Sequence, residues 1–470
     1  MALAPTSAFA PFRSLDMAAF VAGLSGTVTR PEDESYDTAR QVHMAQFDRR
    51  PALIVRAANT ADVSRTVVFA REAGMEIAIR GGGHSLAGHG TTDGGIVLDM
   101  GSMKGLHVDA ERRLARAQAG LTAGEYTAAV AEHGLATPFG DTGSVGIGGL
   151  TLGGGIGWLA RKYGLTIDAL VSVEIVTADG RILIASEREH SDLFWAVRGG
   201  GGNFGVVTRF QFRLYPVGTV LGGVLFLPAT RDVLRGLGPI AASAPEELTA
   251  ITFLMPAPQA PFVPAELVGT LTTAVMFVYA GDPEAGQTAI APFRELAAPL
   301  AEAVMPMPYP GIYEFTKSAE ERGYGSHRSL FLPALDDATV DTILAYATAP
   351  SSPMSMTQVR VLGGAMAWVP AEDTAFAHRD APVMVTPITI YEDPTERPVH
   401  EAWTQSYFEA LRPAATGVYA NFLEDEGEAR IRDAYPSATY DRLAEVKRRY
   451  DPTNLFHLNQ NIRPAVRLVI

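Results

Sequence analysis

Gly140–Gly157 reads GDTGSVGIGGLTLGGGIG, and nine of its eighteen residues are glycine. Such a loop gives up side-chain packing and carries a high entropic cost on ordering, so its use lies in close backbone approach and left-handed conformations. Two more loops of this character flank it: Arg80–Ser85, RGGGHS, and Gly199–Gly205, GGGGNFG. One alone reads equally well as a tight turn. Three in one half of a chain point to backbone N–H groups gathered around a large anionic ligand, such as a pyrophosphate. The G-x-G-x-x-G fingerprint between a strand and a helix, followed about 20 positions later by an acidic residue, is not met. A nicotinamide dinucleotide site of that kind therefore fits poorly.

Around these loops the pattern alternates strand and helix. MEIAIR and IVLDM read as short buried strands, and NTADVSRTVVFAREAG as a helix with Val63, Val67 and Ala70 on one face and Thr60 as N-cap. Thr122 and Glu125 stand at capping-box spacing before a helix that ends at Gly134. LVSVEIVTADGRILIAS reads as two strands around Asp179–Gly180, and NFGVVTRFQFRLYP as another strand. Beyond Pro216 the glycines thin out. Four strands are expected there, in TVLGGVLFLP, LTTAVMFVYAG, SMTQVRVLGGAM and PVMVTPITIY, with helices near 229–243, 284–299, 336–348 and 396–411. The organisation is two-part: 1–217, a second domain at 218–411 with a sheet backed by helices, and a C-terminal segment 412–470 returning to the first.

The chain has 470 residues, 47% hydrophobic and 19% charged, enough for a sizeable core in a soluble protein. A net charge of −14 argues against nucleic acid as partner. There is no cysteine, so thiolate nucleophiles and disulfides are excluded. No metal-ligand cluster stands out, nor an apolar run of membrane-spanning length. The Ala-rich start, MALAPTSAFAPFRSLDMAAFVAGLSG, lacks a basic opening followed by an apolar core, so no leader is expected and the cytoplasm is the default location.

IRGGGHSLAGHGTTDGGIVLDM, GLTLGGGIGWLARKYGLTIDAL, DLFWAVRGGGGNFGVVT and YDPTNLFHLNQNI together resemble the berberine-bridge-enzyme-like branch of the vanillyl-alcohol-oxidase superfamily of flavin oxidases. The resemblance runs from about Arg49 to Pro216 and again over 419–464. It implies an α+β, PCMH-type FAD-binding fold of two subdomains plus a substrate domain with an antiparallel sheet. It also implies FAD joined covalently to His84, with the loop glycines cradling the pyrophosphate. By position, Arg80, Gly81, Gly82, Gly83, Ser85, Gly88, Thr142, Ser144, Val145, Gly148, Gly149, Gly154, Val207, Asn421, Asn459 and Asn461 are the other expected FAD-binding residues. Many relatives add a cysteine link where Thr142 stands, so here a single link through His84 is expected. Val145 matches a gatekeeper position, and valine there resembles oxidases that admit dioxygen.

For the chemistry, a cofactor carries the electrons while the protein positions the substrate and removes a proton. Tyr419, in GVYANF, resembles the tyrosine of a Tyr-x-Asn pattern and is the expected base. A phenol of pKa near 10 needs a cation or hydrogen-bond donors beside it to serve. Asn421 shares its face if this segment is a strand. Gln358 and Arg360, two apart on an expected strand, also share a face; Arg360 is expected to stabilise the Tyr419 phenolate or hold a substrate carboxylate or enolate. His378–Arg379 reads as structural, and His327–Arg328 and EDEGE as surface or loop features. The leading expectation is an oxidase acting on an alcohol, sugar, amine or natural-product intermediate with O2 as co-substrate, monomeric or homo-oligomeric. Two alternatives stay open: an oxygen-transferring tailoring enzyme of polyketide-type substrates, and a non-catalytic flavin-binding protein.

Overall fold

The computed structural model describes residues 16–466, so most of the N-terminal stretch considered for a leader lies outside the described residues. Leu53–Arg56, Ile96–Asp99 and Ile77–Arg80 are parallel neighbours, with Thr27–Thr29 antiparallel at the edge. Ile96–Asp99 is buried along its whole length, as a parallel strand covered on both faces requires. The helix Thr60–Ala73 contributes Val63, Val67 and Ala70 to the core, as the 3.6-residue period predicts. Its cap is Asn59, whose carboxamide accepts the Asp62 N–H; the Thr60 hydroxyl is taken by Glu174 at 2.7 Å. The RGGGHS loop leaves from the carboxyl end of Ile77–Arg80, the end at which parallel sheets bind ligands.

A second sheet, antiparallel, runs in the order Leu106–Asp109, Leu114–Gln118, Val206–Arg213, Leu170–Val176, Ile182–Ser186. The Thr122–Glu125 capping box is present and opens the helix Ala123–Ala131. The C-terminal helix Ser437–Tyr450 packs Tyr440, Leu443 and Val446 into the same core as Phe210 and Phe212. Its Lys447 is fully buried: the ammonium donates to Asp451, Asn203 O and Phe456 O, each at 2.7 Å. That pair ties the third glycine loop to the C-terminal segment.

The second half is built on one antiparallel sheet of eight strands rather than four. Its order is Ala301–Pro308, Thr219–Pro228, Leu271–Tyr279, Leu248–Pro256, Met356–Val361, Val383–Tyr391, Tyr324–His327, with Leu330–Leu332 also on Val383–Tyr391. The strands absent from the sequence reading each lack a signal. Leu248–Pro256 is almost uniformly apolar and does not alternate, and Tyr324–His327 and Leu330–Leu332 are short. Ala301–Pro308 carries Pro306 and Pro308, tolerated because it is an edge. The four expected helices, Arg231–Ser243, Pro283–Arg294, Asp337–Thr348 and Arg397–Leu411, form a core with Val359, Val361, Val383 and Val385 on one face. Each large apolar side chain fully buried there contributes about 1.5–3 kcal/mol. The opposite face meets Trp158 and Leu159, just beyond the second glycine loop.

Candidate active site

The first two glycine loops touch. A Cβ at Gly82 would lie 2.4 Å from the Gly146 nitrogen, so neither position admits a side chain. This contact brings His84 to Ser144, with Nε2 and Oγ 3.0 Å apart. The His84 ring also stacks on His43 at 4.1 Å between centroids. Burial, then the neighbouring His43, pulls the His84 pKa down to about 3, so the imidazole is neutral and keeps a lone pair at physiological pH. The Ser144 N–H is held by Glu320 at 2.9 Å. His43 and Glu320 carry no sequence motif; only tertiary packing finds them.

Tyr419 is buried against Phe376 and Phe422. The segment after it is a short 3-10 turn, Ala420–Phe422, not a strand. Asn421 nonetheless reaches back: its Nδ2 donates to Tyr419 Oη at 2.9 Å and to Leu150 O at 3.0 Å. Gly155 N and Ile156 N donate to the same Oη at 2.9 and 3.3 Å. Gly154 and Gly155 take φ of 132° and 83°, conformations that turn successive N–H groups onto one point and favour glycine. The phenol has no acceptor for its own proton among the described residues. Burial pushes its pKa up, against the pull of these three donors and of Arg360.

Gln358 and Arg360 share the sheet face that looks towards the glycine loops. Arg360 Nε donates to Gln358 Oε1 at 2.8 Å, and its Nη2 forms an ion pair with Asp141 at the start of the second glycine loop. The guanidinium is therefore already matched by a carboxylate in the protein itself. Thr142 keeps its hydroxyl on Asp141 at 3.3 Å, and Val145 is partly exposed in the same loop.

Several expected FAD-binding positions turn out to be packed or paired within the protein. Arg80 points back along its strand, donating to Asp99 at 3.0 Å and Ala39 O at 2.7 Å. Ser85 Oγ accepts the His89 N–H at 3.2 Å, Gly88 lies against the Phe47 ring, and Val207 is in the core of the first half. Arg379 is structural as read, paired with Asp168 at 2.8 and 2.9 Å, and His378 hydrogen-bonds Asp433 O. Of the residues read as surface or loop features, Asp425 and Glu428 are exposed and 424–427 is a loop, whereas His327, Arg328, Glu424 and Glu426 are largely covered. Glu424 is mostly buried, takes Arg328 Nη1 at 2.5 Å and the His327 N–H at 2.7 Å, and Glu426 pairs with Arg430 at 3.0 Å.

Three features fit FAD. Added methyl groups at Gly81, Gly148 and Gly149 would meet little or nothing, a surface of bare backbone. Asn459 Oδ1 and Asn461 Oδ1 are buried without a partner, as is Thr151 Oγ1. His84 stands where two such loops meet. Residues 51–186 match the family model for an FAD binding domain, and 418–463 the model described as berberine and berberine like. The chain is 30% identical to (R)-6-hydroxynicotine oxidase of Paenarthrobacter nicotinovorans over 94% of its length and 97% of the relative's. It is 28% identical to xylooligosaccharide oxidase of Thermothelomyces thermophilus over 88% of each chain. The solved structure of 6-hydroxy-D-nicotine oxidase from Arthrobacter nicotinovorans superposes with a TM-score of 0.84 at 27% identity, covering 94% of this chain and 98% of that one.

Fold and site thus define an FAD-linked oxidoreductase. The chain belongs to the berberine-like family of these enzymes.

Proposed function

We propose that this protein is an oxidase of a small organic alcohol or amine, with FAD attached through His84 alone and Tyr419 as the base. The observation that carries the reading is the convergence of three N–H groups on Tyr419 Oη. A neutral phenol oxygen offers two lone pairs, whereas a phenolate serves three donors. The donor set therefore matches the anion better than the phenol. Bound FAD would supply the chemistry of accepting a hydride from the substrate and passing its electrons to O2, with H2O2 as the product. Tyr419 accepts the substrate's hydroxyl or amine proton, and Arg360, held by Asp141, adds a positive field. His84 supplies a neutral nitrogen for the covalent link, held in place by Ser144 and His43. Gly81, Gly148 and Gly149 offer backbone N–H groups, and Asn459 and Asn461 free amide oxygens, to the cofactor's polar edges. With no cysteine in the chain, a second link through a thiol is excluded, leaving His84 as the proposed attachment point.

The test is direct. The yellow protein should bleach anaerobically on adding substrate, recolour in air, and release one H2O2 for each substrate oxidised. Substrate that gains an oxygen atom without H2O2 release favours the oxygen-transfer reading. A colour that persists against every alcohol and amine favours a carrier.

A further inference from the structure

We infer that dioxygen reaches the site through the large sheet, held on the way in two small apolar cavities, one on each face of it; the use of dioxygen rests on the oxidase reading above. The strands Leu248–Pro256 and Met356–Val361 pair from Leu254–Thr357 as far as Ile251–Arg360. Both run on past that pair, to Leu248 and to Val361, with no further rungs between them. In place of rungs, Arg161 bridges the two ends. Its Nε donates to Leu248 O at 2.9 Å and its Nη1 to Leu362 O at 2.7 Å, so the guanidinium holds the strand ends at a set spacing. Ala250 and Val361, the residues just past the last rung, border both cavities. The cavities therefore meet where the sheet parts.

On the helix side the cavity is walled by Leu234, Leu237, Phe293, Val340 and Ile343, with Thr252 its one polar side chain. Leu335, also in this wall, is partly exposed and marks the way in. On the loop side the wall is Ile156, Ile251, Leu362 and Met366, with Thr249, Arg161 and Arg360 as its polar edge. Each cavity has room for about one molecule of the size of water. The guanidiniums of the loop-side cavity are committed: Arg161 to three carbonyls, Ala244 O included, and Arg360 to Gln358 and Asp141. Thr249 Oγ1 is buried without a partner, a single hydroxyl where a buried water calls for two to four polar groups. Cavities walled by aliphatic side chains stay dry and take up apolar molecules of matching size, and dioxygen and xenon are such molecules. The loop-side cavity ends at the reaction site. Ile156 N donates to Tyr419 Oη at 3.3 Å, and Ile156, Leu362, Met366 and Tyr419 share one apolar cluster. An apolar gas thus arrives at Tyr419 from the helix layer.

The experiment has two arms, and neither needs the substrate. Crystals of the FAD-loaded enzyme under xenon pressure should show xenon in both cavities. The photoreduced enzyme, mixed with oxygenated buffer, should reoxidise at least about threefold more slowly in Ala250→Val, whose two added methyl groups occupy the junction. The variant's melting temperature should be unchanged, since the void receives the added volume. Cavities that hold ordered water, or stay empty under xenon, overturn the inference. So does a variant that reoxidises as fast as the wild-type enzyme. Bound xenon and a slowed variant, in an enzyme that no alcohol or amine bleaches, keep the gas route and sink the oxidase reading instead. An enzyme that substrate bleaches, with neither bound xenon nor a slowed variant, does the reverse.

Discussion

The glycine-loop half and the large sheet present different kinds of surface. In the loops the chain offers backbone: bare faces at Gly148 and Gly149, and N–H groups of Gly155 and Ile156 aimed at one oxygen. On the sheet it offers side chains, and which ones share the face that carries Arg360 is set by strand register across four neighbouring strands. Bare backbone leaves a mark in composition, because only glycine permits it. A sheet face leaves almost none, since Ile388 reads as ordinary core until the sheet is assembled. The cofactor half is therefore the easier one to read and the sheet the harder.

The sharpest way to break this contrast is at His84. His84→Ala should leave an acid-precipitated pellet colourless, against a yellow wild-type pellet; a yellow variant pellet removes His84 from the attachment. Next is Tyr419→Phe, expected to lower kcat/KM about 10²–10⁴-fold with flavin still attached. Because Tyr419 acts as a base only when deprotonated and burial raises its pKa, wild-type kcat/KM should climb with pH from about 7 towards 10. A flat profile that persists in the phenylalanine variant would exclude it as the base.

Lys447→Met tests the coupling of the third glycine loop to the C-terminal segment. It leaves Asp451 buried and unpaired, and urea titration should show a loss of about 3–5 kcal/mol. The smallest effect is expected at Ser144. Removing one hydrogen bond of about 1 kcal/mol should slow flavin attachment about fivefold in Ser144→Ala, timed by fluorescence of the denatured protein. Ser144→Thr, which keeps the hydroxyl, should restore the rate; equal rates in all three would place His84's orientation with His43 alone.

Much of the framework was legible. The Thr122–Glu125 capping box, the buried face of Thr60–Ala73 and the four helices of the second half follow from short-range rules. Local rules failed where a tertiary partner intervened. Glu174 draws the Thr60 hydroxyl and leaves capping to Asn59, and a 3-10 turn rather than a strand directs Asn421 onto Tyr419. Arg360 looked available and is matched by Asp141, 219 positions away in sequence. Lys447 and Asp451, four apart on a helix end, were a readable pair, but their complete burial was not.

By itself the sequence determined the glycine loops, the absence of any thiol, and the family motifs that make this an FAD-linked oxidoreductase, because these depend on residue type alone. Only the tertiary structure decided that Ser144 meets His84, that three donors converge on Tyr419, and that Arg360 is paired with Asp141. The physical reason is range: composition and periodicity act over a few residues, whereas charge matching and cross-strand register join residues hundreds apart.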